Sequence, residues 1–178
     1  MATPTPKRYH PWLVAIHWLS ALLIIFNLLA GTLALKWMPN NVAKLMPLGS
    51  HMTVGILILV LTVARIAVRI SKPSPAPASA GNAILDKIGV ATHYLLYLGA
   101  LGLGISGVGI AMQSGLFSSV FGRAGELPAD FYVYPTRYGH GFTATAMILL
   151  VLLHIGAALY HQFILRDGLL GRMSFRKD

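Results

Sequence analysis

The sequence predicts an all-α integral membrane protein, an up-down-up-down bundle of four transmembrane helices. Composition is the first reason: 56% of its 178 residues are hydrophobic and only 11% are charged, whereas a soluble domain carries roughly 25% charged residues. The second is four apolar stretches, each long enough to cross a hydrocarbon core of roughly 30 Å, which takes about 20 helical residues. The third is that a backbone crossing lipid must satisfy its own hydrogen bonds, and uncharged runs of this length do so as helices. No repeat or heptad pattern is visible and no soluble domain fits in the remaining residues, so 1–178 is expected to form one membrane domain.

The first span covers about 12–35 and contains no charged side chain; Pro11 stands where a first-turn proline is tolerated. Thr32-Leu33-Ala34 has the small-x-small form of a signal-peptide cleavage site, but the apolar region before it is too long for a cleaved leader. The second span covers about 48–70, with Arg65 and Arg69 near its end, and Pro47 is expected to fix its start. A short Pro-rich connector at 71–77 leads to the third span, about 84–112, whose only charges, Asp86 and Lys87, sit at its beginning. The fourth covers about 138–165 and is uncharged.

Lys and Arg number 14 against 5 Asp and Glu, a net charge of +9. Nucleic-acid binders share such a balance, but the apolar runs assign this one to a membrane. Lys7, Arg8, Arg65, Arg69, Lys72, Lys87, Arg166, Arg172, Arg176 and Lys177 fall on one side, and Lys36, Lys44, Arg123 and Arg137 on the other. That asymmetry predicts cytoplasmic N- and C-termini. The absence of Cys excludes disulfides, thiolate zinc sites, Cys-held iron–sulfur clusters and covalent haem attachment.

Seven histidines are the anomaly, because an imidazole is expensive in lipid. His10 precedes the first span. The others lie within spans: His17, His51, His93, and then His140, His154 and His161 together on the fourth. One buried His is ordinarily an interhelical hydrogen bond; six are too many for that. His140 and His154 lie roughly 21 Å apart along a helix and project from nearly the same face. With alternating helix directions, His51 can face His140 and His17 can face His154. Two opposed imidazoles at each of two depths are the ligand set for two six-coordinate haems b in a bundle. Zinc would want three or four ligands at one level, and di-iron sites need Glu-x-x-His pairs that are missing.

Depth alone leaves His161 and His93 as other partners for His17. Pairing His140 with His161 would separate the irons by roughly 31 Å, too far for fast transfer, so the shorter spacing is preferred. His93 and His161 are then left as polar groups at a shared shallow depth. Gly99, Gly102, Gly104, Gly107 and Gly109 remove bulk from the third helix, either for close helix packing or for a macrocycle.

Ile16-His17-Trp18-Leu19, His51, Tyr138-Gly139-His140, His154-x-x-Ala157-Ala158-x-x-His161 and Asp167-x-x-Leu170-x-Arg172-Met173 together resemble the bacterial cytochrome b561 family over nearly the whole chain. The resemblance implies haem b iron ligation by His17, His51, His140 and His154, in agreement with the spacing. It further implies a quinone site at His93 and His161, ubiquinone as acceptor, and a place in the bacterial inner membrane. Similar members include superoxide oxidase, which implies superoxide as external donor. Arg137, three residues before His140, is the cation best placed to steer such an anion. The loop 113–136 matches no motif and leaves the donor least defined. An electron-conduit or anchor subunit of a larger dehydrogenase or hydrogenase is the alternative. Ascorbate- or ferric-reductase-like relatives use more helices than this chain has.

Overall fold

A computed structural model describes residues 6–122 and 126–175. Arg123, Arg176 and Lys177 of the charge count lie outside the described residues. Four helices long and apolar enough to cross a membrane make up most of the chain: α1 (Pro11–Leu35), α2 (Val42–Ser71), α3 (Ala83–Ser114) and α4 (Pro135–Leu165). The last turns of α1 (Ala30–Leu35) and α4 (His161–Leu165) widen into π-helix.

Local chemistry sets each helix start. Pro11 and Pro135 occupy first-turn positions, where a missing N–H costs nothing. Asn41 Oδ1 accepts from Ala43 N at 3.1 Å, and Asn82 Oδ1 accepts from Ile84 N at 2.9 Å. The Asn41 cap corrects the expected start of the second span. The helix begins at Val42, and Pro47 lies inside it, not at its first turn. The early start is held by Lys44, whose Nζ donates to Met38 O at 3.0 Å and to Asn40 Oδ1 at 2.8 Å. Gly115, at φ +69°, ends α3 in the left-handed conformation that glycine adopts without strain.

The closely approached pairs are α3 with α4, α1 with α2, and α2 with α3. Glycines on α3 explain part of that closeness. A Cβ at Gly104 would stand 2.9 Å from Leu59 of α2, and one at Gly99 would stand 3.1 Å from Met147 Sδ of α4. The first and last described segments meet at one end of the bundle, called here the terminal end. There Tyr9 N donates to Arg172 O at 3.1 Å, and the Trp18 indole N–H donates to Met173 O at 2.9 Å. At the opposite, loop end, Ile110, Ala111 and Leu116 form a small buried cluster under Leu48, Met52 and Phe131. Outward-facing Leu22, Phe142 and Leu149 are well exposed, as side chains meeting lipid tails must be.

Candidate functional site

The interior histidines gather at two levels. At the loop end His51 of α2 faces His140 of α4, with ring centroids 6.3 Å apart and planes at 72°. Toward the terminal end His17 of α1 faces His154 of α4 at 6.2 Å and 76°. His93 of α3 also meets His154, at 5.2 Å. The spacings separate these contacts chemically. A metal–imidazole nitrogen distance of about 2.0–2.1 Å puts the centroids of two rings facing each other across an iron about 6.3 Å apart. Both the His51–His140 and His17–His154 spacings fit that span. His93 is too close to His154 to share an iron with it, and its Nδ1 bonds instead to Gly89 O at 2.8 Å.

The surroundings fit a ligated macrocycle as well. The buried Nδ1 atoms of His17 and His51 have no hydrogen-bond partner. Gly31 on α1 borders the His51 ring, where a Cβ would come within 3.1 Å of Cε1. Gly107 on α3 borders the His140 ring in the same way, at 3.4 Å. Ser106 Oγ lies 3.0 Å from His140 Nδ1, orienting that ring through the nitrogen away from any metal. Among the described residues no three His, Asp or Glu side chains form a group that could hold a bare metal ion.

Positive charge stands at both levels and, among the described residues, no acidic side chain accompanies it inside the bundle. Arg65 stacks its guanidinium 5.1 Å over the Tyr97 ring, leaves a buried Nε unpartnered, and lies in electrostatic range of His17, His93 and His154. At the loop end Arg137 stacks 4.8 Å over the Tyr132 ring, and its charge reaches His51 and His140. Lys44, 7% exposed, stands near it over the Phe131 ring. His161 takes a different place from His93. Its Nδ1 binds Asp167 Oδ2 at 2.5 Å, just beyond α4.

Sequence reasoning missed four of these neighbours: Gly31, Ser106, Arg65 as a buried charge, and Asp167 as a partner of His161. Asp167 was the most legible of them, since it follows His161 within one turn of a helix end. The glycines singled out on α3 divide. Gly107 borders a histidine, while Gly99, Gly102 and Gly109 face Met147, Thr143 and Thr136 of α4.

An apolar four-helix bundle with imidazoles facing across its interior, and no Cys for covalent attachment, defines the integral-membrane cytochromes that hold haem b. Comparison with known proteins narrows the class. Residues 8–176 match the family described as prokaryotic cytochrome b561, and the chain belongs to that family of haem b membrane proteins of electron transfer. It is therefore a multi-pass protein of the bacterial inner membrane. It is 33% identical to cytochrome b561 homolog 2 of Escherichia coli, over 96% of this chain and 93% of the relative. It is 30% identical to cytochrome b562 of Cereibacter sphaeroides, over 90% of each. A protein of Yersinia pestis named probable superoxide oxidase CybB is 28% identical, over 96% of this chain and 98% of the relative.

Proposed function

We propose that the protein holds two haems b and passes electrons from external superoxide to ubiquinone in the membrane, with both termini in the cytoplasm. The observation that carries this reading is the pair of imidazole spacings, 6.3 and 6.2 Å, each suited to one iron. The name of the Yersinia relative supports the donor. When bound, haem b supplies an iron centre that takes up and releases one electron at a time. His51 and His140 ligate at the outer level, and His17 and His154 at the inner. Arg65 offers a buried positive charge beside the inner pair, and Arg137 offers one beside the outer. Two superoxide anions leave as two O2, and ubiquinone takes up two electrons and two protons to become ubiquinol. His93 and His161 bind the quinone oxygens at the cytoplasmic end and hold the protons they need.

Two measurements test the ends of this route separately. Superoxide-driven haem reduction is expected to fall as salt rises, and Arg137→Gln should slow it about threefold, a fraction of the 10–10³ that a whole charged cleft provides. Haem spectra should stay unchanged. A rate indifferent to salt and to this substitution removes the steering role. At the other end, His161→Ala or His93→Ala should keep both haems and slow reoxidation by a short-chain ubiquinone by about tenfold or more. Loss of a haem in His161→Ala would make His161 an iron ligand instead.

A further inference from the structure

We propose that Asp167 is the positioning residue that holds His161 as proton donor to the quinone, with protons supplied from a cleft at the terminal end; this rests on the quinone reading above. The carboxylate is fixed through both oxygens. Oδ2 binds His161 Nδ1 at 2.5 Å, and Oδ1 accepts from Leu169 N at 2.9 Å. Left-handed backbone at Arg166 (φ 54°) and Gly168 (φ 70°) turns the chain so that Asp167 returns beneath the ring. The contact sets the tautomer: Nδ1–H points at the carboxylate, and Nε2 is the ring atom left for a ligand.

Asp167 also borders an opening to solvent. The residue lines an open cleft of about 450 Å³ together with Lys7, Arg8, Pro75, Gly171 and Arg172. The His161 side chain is 12% exposed and that of Asp167 is 29% exposed, and the cleft opens to solvent at Asp167. Desolvation works to raise the Asp167 carboxyl, but the hydrogen bonds from His161 and Leu169 outweigh it and hold the group below the usual carboxylate range. Charged and titratable neighbours come from every side. Asp86 of α3 acts on His161, Arg172 acts on Asp167, Lys7 and Arg8 line the cleft, and the Tyr160 ring stands 6.3 Å from that of His161.

In its transfer the His161 ring, protonated on both nitrogens, gives up the Nε2–H as an O–H bond forms on one quinone oxygen. The ring is left neutral, with Nδ1–H still on Asp167, and water in the cleft then returns a proton to Nε2. A second proton reaches the other quinone oxygen from the His93 side and, with the two electrons drawn from superoxide, completes ubiquinol. Asp167 accepts the Nδ1–H throughout, and its charge offsets that of the ring while both nitrogens are protonated.

The test is stopped-flow reoxidation of the reduced, fully haem-loaded protein by a short-chain ubiquinone, from mildly acidic to mildly alkaline pH. With Asp167→Asn, the alkaline fall in rate should move to lower pH by about one unit or more. The rate in acid should stay near that of the unaltered protein, and Asp167→Glu should restore the profile. Asp167→Ser keeps an acceptor for Leu169 N–H while removing the charge, and decides the matter if the Asn variant fails to fold. Superimposable profiles overturn the proposal while leaving the quinone reading intact. So does a rate loss equal at every pH, which would mark Asp167 as a turn cap only. If ubiquinone does not reoxidise the unaltered protein, both the quinone reading and this inference fail.

Discussion

His140→Ala or His51→Ala is expected to halve the haem content per chain, and His17→Ala or His154→Ala to do the same at the other level. Each pair spans a gap of the width one iron needs, at 6.3 and 6.2 Å between ring centroids. Removing one imidazole would leave an iron at that level with a single protein ligand. It also leaves a cavity in a site where the buried Nδ1 atoms of His17 and His51 already have no hydrogen-bond partner. The two levels should behave independently. A pyridine haemochrome assay would read about one haem in each single variant, and about one again in the His51→Ala/His140→Ala double variant, since both members serve the same iron. The reduced-minus-oxidised spectrum should lose a different component at each level. If each variant still carries two haems with unchanged spectra, the pairing is wrong. Loss of a haem in His93→Ala would overturn the argument that a 5.2 Å ring contact is too short to hold an iron.

Gly31→Leu should empty the outer level while leaving the inner one filled. Gly31 lies in the π-helical end of α1, where even a Cβ would stand 3.1 Å from His51 Cε1 and press the ring to one side. A full leucine cannot be accommodated without driving the ring off its partner's axis, and overpacking of this kind costs about 1–3 kcal/mol. Expressed as haem affinity, that is a loss of about five- to 140-fold, since about 1.4 kcal/mol corresponds to one factor of ten. Gly31→Ala should show a smaller loss of the same component. Gly139 and Gly156 of α4 provide the control, because a Cβ there meets nothing within 4 Å. Gly156→Ala should leave both haem components unchanged and raise thermal stability slightly, by up to about 1 kcal/mol, as replacement of a mid-helix glycine does. Equal loss of both components in Gly31→Leu would point to a general packing defect rather than to pressure on His51.

Which histidines face one another across the bundle is legible in the sequence because it depends only on one-dimensional quantities. Fourteen residues of α-helix advance roughly 21 Å and return to nearly the same face, and alternating helix directions set the depths of His17 and His51. The residues His93 and His161 show where such reasoning stops. They share a depth along the chain, yet one turns to His154 and Gly89 and the other to Asp167, because azimuth and rotamer depend on the neighbouring helix. The start of α2 is a second instance. Pro47 looked like a helix start from local preference alone, whereas the Asn41 cap and the bonds from Lys44 to Met38 and Asn40 carry the helix back to Val42.

Hydropathy, charge and the absence of Cys determined that this chain crosses a membrane four times as helices and that any haem it holds is non-covalent. Those properties sum over many residues, so no single contact can reverse them. Only the tertiary structure decided which small residues make room for rings and which merely let helices approach. Gly31 and Gly107 border histidines, while Gly99 and Gly104 meet Met147 and Leu59. It also decided that Ser106 supports His140, that Arg65 stands beside the rings nearer the terminal end, and that Asp167 grips His161. Each of these depends on the rotation of one helix about its axis relative to another. That angle is set by side chains meeting across the interface, and residues far apart in the chain decide it together.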